Sequence, residues 1–146
     1  MQDLPHHYVV TARGKVAGNV VLSSDGVADL DSAPPAEFGG PGDQWSPESL
    51  LVAAVADCFI LSFRAIARAS RLEWDSLSCE VEGTLERVER VTQFTGFAVS
   101  VTLQVPAGTD EEKARRLLEK AEHVCLITNS LKAESHLETA VHVAAA

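Results

Sequence analysis

The run Ser46-Pro47-Glu48-Ser49-Leu50-Leu51-Val52-Ala53-Ala54-Val55-Ala56-Asp57-Cys58-Phe59-Ile60-Leu61-Ser62-Phe63-Arg64-Ala65-Ile66-Ala67-Arg68-Ala69-Ser70-Arg71 decides how this chain folds. Ser46 is a good N-cap, Pro47 suits a first helical position, and the acid of Glu48 favours the positive end of a helix dipole. These signals predict a helix from Ser46 to about Arg71. From Leu50 to Phe63 it is apolar on nearly every side, so most of its circumference is expected to be buried. At 100° per residue, Asp57, Arg64, Arg68 and Arg71 fall within about 60° of one another as one polar stripe. Cys58 lies about 120° from Arg64, among Leu51, Val55 and Ser62. The most apolar stretch, Leu50–Ile66, is 17 residues long and contains Asp57 and Arg64. It is shorter than the ~20 apolar residues of a membrane span, so it reads as a buried helix. One half-polar sheet cannot cover a helix of roughly 37 Å on all its apolar sides. A second copy related by two-fold symmetry is the expected cover, which makes the chain a homodimer.

On the N-terminal side, His7–Ala12, Asn19–Ser23 and Val27–Leu30 read as three short strands, with Ser24-Asp25-Gly26 as a turn. Residues 34–47 hold four of the six prolines and three of the nine glycines, a density that breaks helix and ladder alike. On the C-terminal side, Leu77, Cys79, Val81, Gly83 and Leu85 alternate with polar residues, and so do Phe97, Val99, Val101, Leu103 and Val105. Period two predicts a half-exposed antiparallel sheet. Thr109-Asp110-Glu111-Glu112 has the form of a capping box and opens a helix from Asp110 to about Val124. Leu126–Leu131 suits a further helical turn, and His136–Val143 a last strand. The order βββ-α-ββ-α-β is α+β, in a single domain over residues 1–146.

Composition excludes several functions. The 146 residues carry 12 Lys+Arg against 21 Asp+Glu, a formal net charge of −9. So acidic a chain offers no footprint for nucleic acid or for anionic membranes. Its start lacks a basic region followed by an apolar run. With only three cysteines, that points to a reducing, cytoplasmic compartment.

Cys58, Cys79 and Cys125 are spaced 21 and 46 apart, which matches neither a zinc site nor a CxxC motif. His123 and His136 have no ligand-like spacing, so no metal and no cofactor are expected. Cys79 falls on the apolar side of its strand and reads as core. Cys58 and Cys125 are open to two readings, small buried hydrophobes or redox thiols. The arginine stripe is expected to pair with carboxylates such as Glu80, Glu82 or Glu86.

Trp45-Ser46-Pro47-Glu48-Ser49-Leu50-Leu51, followed by Ala53-Ala54 and Ala56-Asp57-Cys58-Phe59, resembles the first cysteine motif of the OsmC/Ohr family. Ala121-Glu122-His123-Val124-Cys125-Leu126-Ile127 with Asn129-Ser130-Leu131 resembles the second, and Ser23-Ser24-Asp25-Gly26-Val27 resembles its N-terminal hairpin. The resemblance implies an intertwined homodimer with thiol peroxidase activity on organic hydroperoxides. Cys58 would attack the peroxide and become a sulfenic acid, Cys125 would resolve it as a disulfide, and a small dithiol or a lipoylated protein would reduce that disulfide. Glu48 would orient an arginine that stabilises the Cys58 thiolate. Aligned on the turn, the family's arginine position falls on Ala17. Arg13, four residues earlier, and Arg64, reaching in from a partner helix, are the two cations left for that role. The alternative reading is a non-enzymatic binding or carrier module, or a weak thiol-redox protein, on the same fold.

Overall fold

The computed structural model describes residues 1–146. The chain forms two compact units, Met1–Leu51 and Val52–Ala146. It is α+β throughout, and its elements follow the order expected from the sequence, including the helical turn after Cys125, with one short 3-10 turn added.

In the first unit, β1 (Thr11–Arg13), β2 (Val20–Ser23) and β3 (Leu30–Ser32) form an antiparallel sheet in the order β1-β2-β3. The first strand is shorter than predicted: Tyr8, Val9 and Val10 are exposed, and pairing begins only at Thr11 with Ser23. The proline- and glycine-rich stretch is an ordered loop. It contains a 3-10 turn over Ala36–Phe38 and returns to β3, where Ala33 N–H donates to Trp45 C=O at 2.8 Å. Gly40 has to be glycine, because a Cβ there would lie 1.7 Å from the Pro34 carbonyl oxygen.

Helix α1 (Pro47–Ala69) starts in this unit and continues into the second. Ser46 caps it, accepting from Ser49 N–H at 3.1 Å, while the Ser49 hydroxyl oxygen accepts from Ser46 N–H at 2.9 Å. This is a reciprocal capping box in which serine replaces the usual acid. The helix stops at Ala69, two residues before the predicted end. Arg71 takes a left-handed φ of 55°, Leu72 N–H reaches Ala67 C=O at 2.9 Å, and Arg71 N–H reaches Arg68 C=O at 3.2 Å. That Schellman arrangement takes Arg71 off the polar stripe.

The second unit is built on β4 (Ser76–Val88), β5 (Val91–Val105) and β6 (Glu134–Val143), in the order β4-β5-β6. β4 and β5 form an antiparallel hairpin, as predicted. Its two-residue turn is Glu89-Arg90, both at positive φ, 49° and 70°. β6 lies parallel to β5, Val99 beside Leu137. A parallel return needs a crossover, and α2 (Glu111–Val124) supplies it. Its N-cap is Asp110, whose carboxylate accepts from Lys113 N–H at 3.2 Å. The Thr109 hydroxyl instead turns back to Pro106 C=O at 2.8 Å, so the predicted Thr109–Glu112 box does not form. A single turn, α3 (Leu126–Asn129), follows.

The core lies between the inner face of this sheet, α1 and α2. α1 contributes Val55, Phe59, Phe63 and Ala67, α2 contributes Ala114, Leu118 and Ala121, and β5 contributes Phe97, Val99, Val101, Leu103 and Val105. Phe63 meets Trp74 edge-on at 5.4 Å. Within one chain, then, α1 buries one stripe rather than most of its circumference. Its most apolar 18-residue window has mean hydropathy 2.1, yet only 28% of that window is buried.

Candidate active site

Cys58 lies on α1 one residue before the buried Phe59, so its side chain leaves the core at the helix flank. It is half-buried and lines an open cleft of about 440 Å³ with Ala54, Asp57, Leu61, Ser62, Leu126 and Ile127. The cleft is apolar apart from Asp57, Ser62 and the thiol. Ser62, one turn further along α1, places its hydroxyl 3.8 Å from the Cys58 sulfur. A serine inside a helix ordinarily bonds back to the carbonyl four residues earlier. Here its only hydrogen-bond partner is the thiol of that earlier residue.

Cys125 closes α2 and caps α3. Its backbone is extended, φ −62° and ψ 106°, and its side chain is 1% exposed. Its thiol is a hydrogen-bond partner of the Cys58 thiol. Burial pushes the Cys58 thiol up, but the Ile127 amide, the Cys125 thiol, the Ser62 hydroxyl and the Leu126 amide outweigh burial and hold it below the ordinary thiol range. The two amides belong to the first turn of α3, whose N–H groups are unsatisfied within the helix and carry partial positive charge. All three cysteines are free thiols. Cys79, inward on β4, is pushed up to about 11 by burial and by the neighbouring Cys125, so it stays protonated at neutral pH.

The remaining predicted site residues are Arg64, Arg13 and Glu48. Arg64 is exposed, on the α1 face away from Cys58, and is not among the groups that act on the thiol. Arg13 is the exposed last residue of β1 in the first unit. Glu48 is half-buried in the first turn of α1, and its Oε1 is buried without a hydrogen-bond partner. The chain's ion pairs are the two that Arg115 makes with Glu111 and Glu112. The expected pairing of the arginine stripe with Glu80, Glu82 or Glu86 does not form, because those acids point outward from β4 while α1 packs on its inner face.

Residues 40–140 match the family profile described as OsmC-like protein. The chain belongs to the OsmC-like family. Its relatives include an organic hydroperoxide resistance protein of Xanthomonas axonopodis pv. citri, 33% identical over 125 residues and covering 84% of each chain. Another is YmaD, an uncharacterized protein of Bacillus subtilis, 31% identical over 107 residues and 71% of each chain. Among solved structures, an OsmC-like protein of unknown function from Vibrio cholerae matches with TM-score 0.84 over 93% of this chain and 100% of its own, at 18% identity, a likeness of fold. An organic hydroperoxide resistance protein OsmC from Legionella pneumophila matches with TM-score 0.75 over 97% of this chain and 100% of its own, at 27% identity. Organic hydroperoxide resistance is thus a role found within the OsmC-like family.

In this OsmC-like chain the groups that act on the thiol are, beside Cys125, a serine and two backbone amides; the sequence placed Ser62 on the Cys58 side of the helix without giving it a role, and did not reveal the amides. Ser62 had a signal, the i,i+4 spacing from Cys58 on a helix. The amides had none, since backbone N–H groups look alike in every sequence and only the placement of α3 aims them.

Proposed function

We propose that this protein is a cysteine-based peroxidase that reduces organic hydroperoxides, working as a homodimer in the cytoplasm. The single observation behind it is a low-lying thiol, Cys58, open to an apolar cleft and backed by a second, buried thiol, Cys125. The Cys58 thiolate attacks the outer peroxide oxygen and the O–O bond breaks. The sulfur gains that oxygen as a sulfenic acid, and the alkoxide leaves and takes a proton as an alcohol. Cys125 then attacks the sulfenic sulfur, expelling water and forming the Cys58–Cys125 disulfide. A small dithiol or a lipoylated protein returns both thiols by exchange. The apolar lining of Ala54, Leu61, Leu126 and Ile127 favours alkyl or aryl hydroperoxides over hydrogen peroxide. The arginine expected beside the thiolate, from Arg13 or Arg64, and the role of Glu48 in holding it, belong to the same proposal.

The test is to incubate the reduced protein with cumene or tert-butyl hydroperoxide and count thiols. Loss of two thiols per chain, abolished by Cys58→Ser, is expected. No loss with either peroxide or with hydrogen peroxide sinks the proposal. An apolar ligand co-purifying with an inert protein would favour the second reading, a carrier that uses the same cleft.

A further inference from the structure

Asp57 directly precedes Cys58 on α1 and lines the same cleft. It is the one ionised side chain there, since the rest of the lining beside the thiol is aliphatic or the Ser62 hydroxyl. An exposed aspartate carries its negative charge at neutral pH. No cation of the chain neutralises it, because the ion pairs are those of Arg115. Its helical neighbours at three and four residues, Ala53, Ala54, Ile60 and Leu61, are all apolar. Arg64 lies two turns further on, about 10 Å along the axis. An aspartate on an open helix face is ordinary. One in an apolar cleft that leads to a nucleophile is not, because every reactant must pass it. Nor does the carboxylate serve the thiol: it is not among the groups that act on Cys58, and a like charge would only oppose the thiolate.

We propose that Asp57 is a specificity-determining residue, which admits uncharged and cationic hydroperoxides to Cys58 and turns away those with a negative charge close to the peroxide bond. The inference rests on the reading of Cys58 as the nucleophile and narrows its substrate class. A sphere of 440 Å³ is about 9 Å across, so a reactant at the sulfur lies within about that distance of the carboxylate. Over about 9 Å, at an effective dielectric constant of about 40–80, a unit positive charge is enriched and a unit negative charge depleted by roughly 2–5-fold. The aliphatic walls of Ala54, Leu61, Leu126 and Ile127 keep the field inside the cleft rather than letting water absorb it.

Walls and charge then divide the selection between them. The walls favour alkyl and aryl groups, and so decide against hydrogen peroxide, which is uncharged and which Asp57 does not read. The carboxylate decides among organic peroxides. Tertiary alkyl and aryl hydroperoxides pass it, as do hydroperoxides of esterified lipids. Short hydroperoxy acids, whose carboxylate must enter the cleft with the O–O bond, are refused. A carboxylate at the far end of a long alkyl chain stays outside and goes unread.

The test compares two probes of nearly equal size and opposite demand on the carboxylate. Iodoacetamide is uncharged, and iodoacetate carries its charge next to the reacting carbon. Their rates at Cys58 in the full-length, reduced protein are followed by peptide mapping, and their ratio is divided by the ratio on 2-mercaptoethanol. Wild type is expected to disfavour iodoacetate roughly 2–5-fold beyond the free thiol. Asp57→Asn brings the normalised ratio to about one, Asp57→Glu keeps the discrimination, and Asp57→Lys reverses it. The ratio cancels any change in thiol acidity, which both probes share. Salt tests the wild type without a substitution: at 1 M the screening length is about 3 Å, and the discrimination should vanish. A wild-type ratio equal to the free thiol's, a preference for iodoacetate, a ratio unmoved by salt, or one unmoved in Asp57→Asn overturns the proposal. A second arm compares cumene hydroperoxide with its para-carboxylate, and the same 2–5-fold preference, lost in Asp57→Asn, is expected. The alkylation arm uses no peroxide, so inertness toward both peroxides would remove the peroxidase reading and leave the charge selection at Cys58 to be judged on its own.

Discussion

Gly83 sets how closely α1 approaches the sheet, and replacing it with alanine tests that packing. The position has no left-handed φ, so the backbone itself accepts a side chain. A Cβ there would lie 2.9 Å from Val52 Cγ2 on α1 and 2.9 Å from Phe94 Cε1. Val52 is β-branched and fixed by its helix. Phe94 is stacked on the buried Phe97 at 5.3 Å and has little room to turn. Overpacking of this kind costs about 1–3 kcal/mol, and the lower unfolded-state entropy of alanine offsets about 0.4–1 kcal/mol of it. The net loss is about 1–2 kcal/mol, a fall in Tm of roughly 3–6 °C for a domain of this size. Thermal melts at fixed protein concentration measure it, and Gly83→Val should fall further. An alanine variant that melts at or above wild type would show that α1 does not bear on Gly83, and the described packing would be wrong.

Peptide mapping after one equivalent of peroxide is expected to find Cys58 linked to Cys125 within one chain and Cys79 free; a bond to Cys79 or between chains refutes the assignment. Because the Cys58 thiol is held below its ordinary range, its alkylation by iodoacetamide should level off at lower pH than that of a free thiol. Ser62→Ala should move that plateau upward and slow the reaction several-fold at neutral pH, and an unchanged pH profile removes Ser62 from the site. Cys79 shifts the other way: at about 11 in the folded state it lies above its unfolded value. Its contribution to stability is therefore full below about pH 8.5 and lost as pH rises toward 11. Urea midpoints between pH 8 and 11 should fall less steeply for Cys79→Ala than for wild type.

Features set by local periodicity were legible in the sequence. The apolar length of α1, its Ser46 cap and the alternation of β4 and β5 follow from neighbouring residues, and all appear close to where they were expected. Features set by distant partners were not. The parallel seat of β6 depends on where α2 deposits the chain, and nothing in His136–Val143 encodes a neighbour. The Glu89-Arg90 turn contains no Gly, Asn or Asp to announce its left-handed backbone, so the ladder on either side imposes it. At the candidate site, Cys58 and Cys125 were visible as motifs, whereas their mutual placement comes from the tertiary fold. The expected pairing of the arginine stripe failed because the sheet presents α1 with one face and keeps its own carboxylates on the other.

The helix break at Cys125 ties two properties of the candidate site together. The residue that caps α3 is joined directly to Leu126, and through it to Ile127, whose amides polarise the Cys58 sulfur. In the proposed reaction, a backbone displacement that carries Cys125 toward Cys58 carries those amides with it. In the proposed reaction, priming of Cys58 and closure of the sulfur–sulfur bond therefore share one lever, three residues long. A substitution at 125–127 that stiffens or loosens the lever alters both events at once. Selection acting on the rate of either would reshape the other, and the two could be tuned apart only from α1, through Ser62.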